Sequence, residues 1–438
     1  MQQIVSSSKI WNVIPTSPFS KELAFETGLS SLQAQLLINR GVADKQSALA
    51  FMRLRLADMA DPMLMKDMGV AVNHILKTLD RRETIAVFGD YDADGLTAAA
   101  LLYHFFSSLG VRVFCYIPNR LEEGYGLNPG AVQKIHDRGA NLLITVDCGV
   151  SNEREIALAL SLGMEVVVTD HHQLPDSFRP ACPVINPHQP DCPFPFKDLS
   201  GVGVAFFLSV ALRAALRDKG WFRERNEPDL KEYLDLVALG TVADRVPLTG
   251  QNRILVNSGI AAMAETRWPG LRAMMEVSGV RDTEIGSEDL AFRLAPRLNA
   301  PGRMGDSSLG IRLLTSRNVA SAKNFALKIN SANGKRQDIE RKIFDRIRNQ
   351  IETSGGLGDR KTLFLGERGW HKGVLGIVAS RLVDVYHRPS LVFNISNGLA
   401  VGSARSIDGF HLFRALSRFG HLFEKFGGHA RAAGFTLK

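Results

Sequence analysis

Three short apolar runs in this chain each end in acid, and that pattern constrains the fold more than any other feature. Thr84–Gly89 leads into Asp90-Tyr91-Asp92-Ala93-Asp94-Gly95, Leu142–Val146 into Asp147-Cys148-Gly149, and Val166–Thr169 into Asp170-His171-His172. Short apolar runs bounded by turn formers read as buried strands. Helical patterns lie between them: Thr97–Leu109 stopped by Gly110, Pro129–Arg138 and Asn152–Leu162, with a further strand over Val111–Ile117. Strands alternating with helices predict βαβ units and a doubly wound parallel α/β sheet. Right-handed crossovers bring every strand's carboxyl end to one edge, where open α/β folds place their sites. A carboxylate at a buried strand end is costly to desolvate unless something pairs with it. Acids and imidazoles converging from three strand ends therefore point to a shared divalent-cation cluster.

A chain of 438 residues predicts two or three domains. No uninterrupted apolar run is long enough to span a bilayer. The N-terminus MQQIVSSSKIWNVIP lacks the basic start, apolar middle and small-residue cleavage site of a signal peptide. Cys115, Cys148, Cys182 and Cys192 are too few and scattered for a disulfide framework, which fits a reducing cytoplasm. Cys182 and Cys192 flank His188 but form no CxxC pair, a weak zinc arrangement. The net charge of +8 is unevenly spread: residues 301–438 hold 23 Lys and Arg against 10 Asp and Glu, and residues 1–300 hold 30 against 35. The acidic part carries the candidate metal site, and the basic part could hold a polyanion such as nucleic acid.

Four regions are expected. Residues 1–60 form a helical lead-in, with helices from Ser30 to Leu37 and Asp44 to Arg53. Residues 61–265 hold the parallel sheet. They include a proline-rich surface excursion at 173–200, helices Val202–Arg217 and Leu230–Leu239, and one more acid in Gly240-Thr241-Val242-Ala243-Asp244. Residues 266–354 connect, ending in a long charged helix over 317–352 that is interrupted near Ser331–Gly334. Residues 355–438 form a smaller α/β domain with strand Thr362–Leu365, helix Val374–Val385 and strand Ser390–Phe393, after which glycines become dense.

Carboxylates and imidazoles without thiolate select hard or borderline cations such as Mn²⁺ or Mg²⁺. An Asp-x-Asp pair can offer each carboxylate to a different ion, and a further Asp can bridge both. Such a two-metal site activates water and stabilises in-line attack at phosphorus. Taken singly, Asp94 before Gly95 also reads as a helix N-cap, Asp147 as a turn residue and Asp170-His171-His172 as a capped loop. Their shared sheet edge favours convergence.

DYDADG, VDCG, DHH and GTVAD, in this order, resemble the four motifs of the DHH phosphoesterase superfamily. The blocks GVGVA at 201–205, PRLNAPGR at 296–303, WHKGVLGI at 370–377 and GGHARAAG at 427–434 resemble its RecJ-type exonucleases, over essentially the whole chain from about residue 30. The resemblance implies a DHH domain and a smaller DHHA1 domain joined by a long helix. Asp92 and Asp94 would take one ion each and Asp147 would bridge them. His171 and Asp244 would complete the second ion and Asp90 would assist the first. His172 would contact the scissile phosphate or leaving oxygen, and a neutral imidazole pair suits these tasks. Arg120 in IPNR, with Ser403, Arg405 and Ser406 in GSARS, would hold the terminal 5′ phosphate. Arg297, Asn299, Arg303 and His371 would contact substrate, and Gly428 and His429 would belong to the strand-binding loop of DHHA1.

Two divalent cations, Mn²⁺ or Mg²⁺, are the implied cofactors. RecJ-type chains continue through the rest of the accessory domain and an OB-fold, whereas this sequence stops at Lys438, so chemistry is expected with a weaker grip on long strands. The expected function is a metal-dependent 5′→3′ exonuclease releasing 5′-mononucleotides from single-stranded DNA in recombination and repair. It would be a cytoplasmic monomer, with a helicase and a single-strand-binding protein as candidate partners. The alternatives are a DHH phosphoesterase for nanoRNA, cyclic dinucleotides or nucleotide bisphosphates, and a non-catalytic DNA-binding scaffold.

Overall fold

The computed structural model describes residues 13–438 apart from 121 and 176. Most of the N-terminal stretch read against a signal peptide lies outside the described residues. Helices α1 (Ser20–Thr27), α2 (Ser31–Ile38) and α3 (Lys45–Met52) form the lead-in around their own small core of Leu23, Ala34, Leu37 and Ala48. Ser30 caps α2 with Gln33 in a reciprocal box, and Asp44 caps α3, so the polar residues before each apolar stretch set both starts.

The first sheet contains β1 (Ile85–Gly89), β2 (Val113–Tyr116), β3 (Leu142–Val146), β4 (Glu165–Thr169) and β5 (Val184–Ile185), all parallel in the order β2-β1-β3-β4-β5. Helices α4 (Met68–Asp80), α5 (Ala93–Ser108) and α8 (Gly201–Asp218) cover one face, and α6 (Pro129–Asp137) and α7 (Glu153–Ser161) the other. Burial on both faces explains why the strands are continuously apolar. The chain order reverses across β1, which has β2 on one side and β3 on the other. This is the topological switch point at which such sheets open a crevice. The register is the decisive detail. Gly89 pairs with Val146, Val146 with Thr169, and Thr169 with Ile185. Asp90, Asp147 and Asp170 therefore leave the sheet at one level.

Helices α9 (Leu234–Asp244), α10 (Gly250–Met263), α11 (Pro269–Ser278), α12 (Ser287–Asp289), α13 (Ala295–Met304) and α14 (Ser308–Leu314) extend the same core. A single π turn at Leu290–Leu294 joins α12 to α13. This core runs from Met65 to Ile329, so the expected border at 265/266 falls inside it. Helix α15 (Val319–Thr353) leads to a second, mixed sheet in the order β6-β7-β8-β10-β9, made of β6 (Leu363–Arg368), β7 (Ser390–Ser396), β8 (Leu399–Arg405), β9 (Phe423–Gly428) and β10 (Ala432–Leu437). Helix α16 (Leu375–Tyr386) packs on one face and α17 (Leu412–Ser417) on the other.

Two expectations change. Helix α15 is unbroken through Ser331–Gly334, because Asn333 is buried and accepts a hydrogen bond from Arg336 Nη2 (2.9 Å) while the flanking turns bury apolar residues. The proline-rich segment is more than a surface excursion: it supplies β5 and buries Val184, Ile185 and Phe194. Asp244, the further acid, closes α9. Among the described residues no helix is long and apolar enough to cross a membrane.

Candidate active site

The acidic loop after β1 is built by its own backbone. Asp92 caps α5, accepting from the N–H groups of Asp94 (3.0 Å) and Gly95 (3.1 Å). The cap is thus Asp92 rather than Asp94, and Asp94 projects from the first turn into the interior. Its carboxylate accepts from Gly201 N (2.6 Å) and Val202 N (2.9 Å) at the start of α8. Those unsatisfied amides and the positive end of the helix dipole suit an anion. Gly201 must be glycine, because a Cβ there would lie 2.7 Å from the Asp147 carboxylate. Asp147 follows β3 with φ of 60°, a left-handed conformation that Asp tolerates better than most residues. Asn299 on α13 accepts from Ala93 N at 2.7 Å. It ties the acidic loop in place, a use of its side chain different from the expected substrate contact.

His171 Nε2 lies 3.1 Å from Asp147, 3.6 Å from Asp244 and 4.0 Å from Asp94. His172 Nδ1 meets Asp170 at 2.8 Å. Three sets of donor atoms fall within 4.8 Å of one another: Asp90, Asp92 and Asp147; Asp94, His171 and Asp244; and Asp147, His171 and His172. Asp90 Oδ1, Asp147 Oδ1 and His171 Nε2 are buried with no hydrogen-bond partner among the described residues. Burial, then mutual repulsion, pushes the carboxyls of Asp90, Asp94 and Asp147 well above the usual range. Crowded, desolvated acids with orphaned oxygens fit divalent cations. No equivalent group forms at Cys182, His188 and Cys192 among the described residues. Burial lowers His171, whereas for His172 the Asp170 hydrogen bond and charge outweigh burial and push it up to about 9. The Asp170 carboxylate thus favours the protonated form of His172. Burial would raise Asp170 too, but His172 and backbone N–H groups hold it below its ordinary value.

Arginines gather beside the acidic loop, where the charge of Arg120 acts on Asp90. Arg120 lies 5.0 Å over the Tyr91 ring. Arg303 Nη1 donates to Gly373 O (3.2 Å), joining α13 to the turn before α16, and Arg405 Nη1 donates to Ala404 O (2.8 Å). Among the described residues none of the three has a carboxylate partner. Burial, then the charges of neighbouring arginines, lowers Arg303 to about 10 and lowers Arg405 as well. Ser403 is on β8 beside Arg405. The other expected contacts are engaged elsewhere. Arg297 binds Asn330 and Arg293 O, Ser406 donates to Phe410 O, and His371 Nδ1 accepts from Gly373 N. Gly428 ends β9 and His429 is exposed in the turn to β10. Sequence reasoning missed Asp170 as the partner of His172 and the α8 amides as the clamp on Asp94. The signals were the first letter of DHH and the glycines at 201 and 203.

Residues 84–241 match the model of the DHH family, N-terminal domain, and residues 359–438 that of the DHHA1 domain. The chain is 42% identical to the single-stranded-DNA-specific exonuclease RecJ of Dickeya dadantii, over 95% of this chain and 73% of that protein. The chain belongs to the RecJ family. The RecJ of Bacillus subtilis is 39% identical over 99% of this chain and 54% of its own length, so the chain spans about half of that relative. The crystal structure of Thermus thermophilus RecJ in complex with Mn²⁺ superposes with a TM-score of 0.82 at 32% identity, covering 98% of this chain and 60% of that one. The same protein has been solved with Mg²⁺.

Proposed function

We propose that this chain is a metal-dependent 5′→3′ exonuclease that hydrolyses single-stranded DNA to 5′-mononucleotides, as the names of its RecJ relatives suggest. The observation that carries the reading is the convergence at one sheet edge of acids and imidazoles whose buried atoms lack partners among the described residues, with Arg120 near enough to act on the charge of Asp90. Asp90, Asp92 and Asp147 would hold one cation and Asp94, His171 and Asp244 the other, with Asp147 positioned to bridge. Two ions there, Mn²⁺ or Mg²⁺, would supply an activated water and stabilise charge developing at phosphorus. His172, oriented by Asp170, offers a proton on Nε2 to a phosphate or leaving oxygen. Arg120, Arg405 and Ser403 would seat the terminal 5′ phosphate, which sets the polarity of digestion.

Our reading also keeps the divisions at residues 60 and 354, gives up the one at 265 because a single core spans it, and keeps a cytoplasmic monomer with a helicase and a single-strand-binding protein as working partners. The test is digestion of a 5′-labelled single strand, its duplex and a dinucleotide, with Mn²⁺ and with chelator. The single strand alone should be degraded, in Mn²⁺ only. Preferred cleavage of the dinucleotide would replace this reading with a small-substrate phosphoesterase, and binding without cleavage would replace it with a scaffold.

A further inference from the structure

Arg120 has an acid three residues further along the chain, yet among the described residues no ion pair joins the two. Glu123 turns the other way. One oxygen of its carboxylate accepts from Asn119 N (2.6 Å), and the other accepts from Tyr116 Oη (2.7 Å) with Lys134 Nζ of α6 at 3.3 Å. The backbone N–H of Glu123 donates to Asn119 O (2.7 Å). Residues 119 and 123 are thus latched by side chain and backbone at once, and Arg120 is carried inside the closed turn. The Glu123 side chain is only 17% exposed. Tyr116 is the last residue of β2 and stacks on Phe88 of β1 with ring centroids 5.9 Å apart. The turn is therefore fastened to the sheet, and the charge of Arg120 is left for an anion.

The corner between α13 and α14 holds the same turn from another side. Arg120 N donates to Ser307 Oγ (3.3 Å), and Asn119 Nδ2 donates to Gly305 O (3.3 Å). Ser307 stands at the N-cap position of α14, where a hydroxyl ordinarily accepts from the first amides of its own helix. It makes no such bond and, buried, serves the Arg120 backbone instead. Two acceptors thus fix where the Arg120 side chain starts, and its guanidinium ends 5.0 Å over the Tyr91 ring of the acidic loop. An arginine fork depends on close placement, because a shift of about an ångström spoils both of its bonds to a phosphate.

We infer that Glu123, seconded by Ser307, is a positioning residue for Arg120, and that the chain's discrimination for a 5′-phosphorylated end depends on it. This rests on the reading that Arg120 seats the terminal phosphate. Glu123 itself touches no phosphate. Its removal loosens one contact of the pocket and leaves the grip on the rest of the strand as it was.

The experiment compares two forms of one single strand, ending in a 5′ phosphate or a 5′ hydroxyl, with binding measured by fluorescence anisotropy in chelator. Wild-type protein should favour the phosphorylated strand. Glu123→Ala should cut that preference by about tenfold, with affinity for the hydroxyl strand within about twofold of wild type. Adding Glu123→Ala to Arg120→Ala should cost nothing further, the coupling expected when one residue acts through the other. Ser307→Ala, which keeps the test open if the Glu123 variant melts early, should move the preference in the same direction by less. Glu123→Gln, which keeps an oxygen for Asn119 N, should recover part of it. Equal weakening on both strands, or a further loss of the same size in the Arg120→Ala background, overturns the inference while leaving the nuclease reading intact. A wild-type protein that ignores the 5′ phosphate, or an Arg120→Ala variant that keeps the full preference, overturns the pocket and the inference with it.

Discussion

Asp147 concentrates what the site demands of one residue. It leaves the middle strand in a left-handed conformation, its Oδ1 is buried without a partner, and it belongs to two of the three ligand groups. Asn tolerates the same backbone, so Asp147→Asn tests charge rather than fold. Turnover should fall by about a thousandfold or more, since both cations lose a ligand. The rise in melting temperature on adding Mn²⁺ should shrink, because less metal is bound. Melting in chelator should not drop, since the change relieves repulsion. Retention of a tenth of the wild-type rate in Mn²⁺ would sink the two-metal reading. Arg405 makes a narrower claim. A charge-assisted contact is worth roughly 1.5–3 kcal/mol, so Arg405→Ala should cut discrimination for a 5′-phosphorylated strand by about ten- to a hundredfold. Equal weakening of phosphorylated and unphosphorylated strands would make Arg405 a general backbone contact.

Among the elements, the junction of α5, α9 and α11 holds two titrating groups of opposite effect. His104 on α5 stacks on Trp268 with ring centroids 4.0 Å apart, and Trp268 Nε1 donates to Asp235 of α9 at 3.2 Å. Burial lowers His104 to about 4 and raises Asp235 to about 7. A histidine depressed in the fold contributes stability above its unfolded value near 6.5 and loses it as pH falls toward 4. A carboxyl raised in the fold contributes stability near pH 4 and loses it as pH rises through 7. Each effect is on the order of 3–4 kcal/mol at full extent, and in wild-type protein they oppose. Thermal and urea melts should show Asp235→Asn gaining on wild type as pH rises from 5 to 7, and His104→Gln gaining as pH falls from 6.5 to 4.5. Parallel curves would mean that neither group titrates as described.

The connector makes a simpler prediction. A Cβ at Gly334 meets nothing within 4 Å, so Gly334→Ala should stabilise by about 0.5–1 kcal/mol without changing turnover; a lower melting temperature would show that the helix bends there. The break expected near this glycine was a reading from propensity alone, which tertiary packing overrode. The sheet edge was legible for the opposite reason: strands buried on both faces are apolar throughout, so their ends were unmistakable. The burial of the Arg336–Glu340 pair was hidden because Arg and Glu four residues apart look like a routine surface pair.

For the molecule as a whole, the charge asymmetry and the arginine field predict how it meets a strand. Association should be mainly electrostatic, with affinity falling log-linearly in salt at about −0.7 per phosphate neutralised. The basic surplus of residues 301–438 predicts a slope equivalent to about three to five phosphates, read by titrating a labelled 20-mer in chelator at several salt concentrations. A slope of eight or more would mean that the strand is held well beyond the crevice. The order of catalytic motifs and the two-bodied α/β architecture were readable from sequence. How Arg405 of the second body comes to lie near Arg120 and Arg303 of the first was not, because that depends on a helix traversing between them.

The 35 residues of α15 form a rod about 52 Å long, and a rod transmits phase as well as distance. A flexible linker absorbs an extra residue without notice. One residue added near position 334 would turn everything beyond it by about 100° and carry Arg405 away from its neighbours Arg120 and Arg303. Seven added residues would return within about 20° of the original phase, yet set the two halves some 10 Å further apart. Length variation in this segment is therefore quantised like the teeth of a gear, and a relative that inserts there must compensate in the contacts between the two bodies.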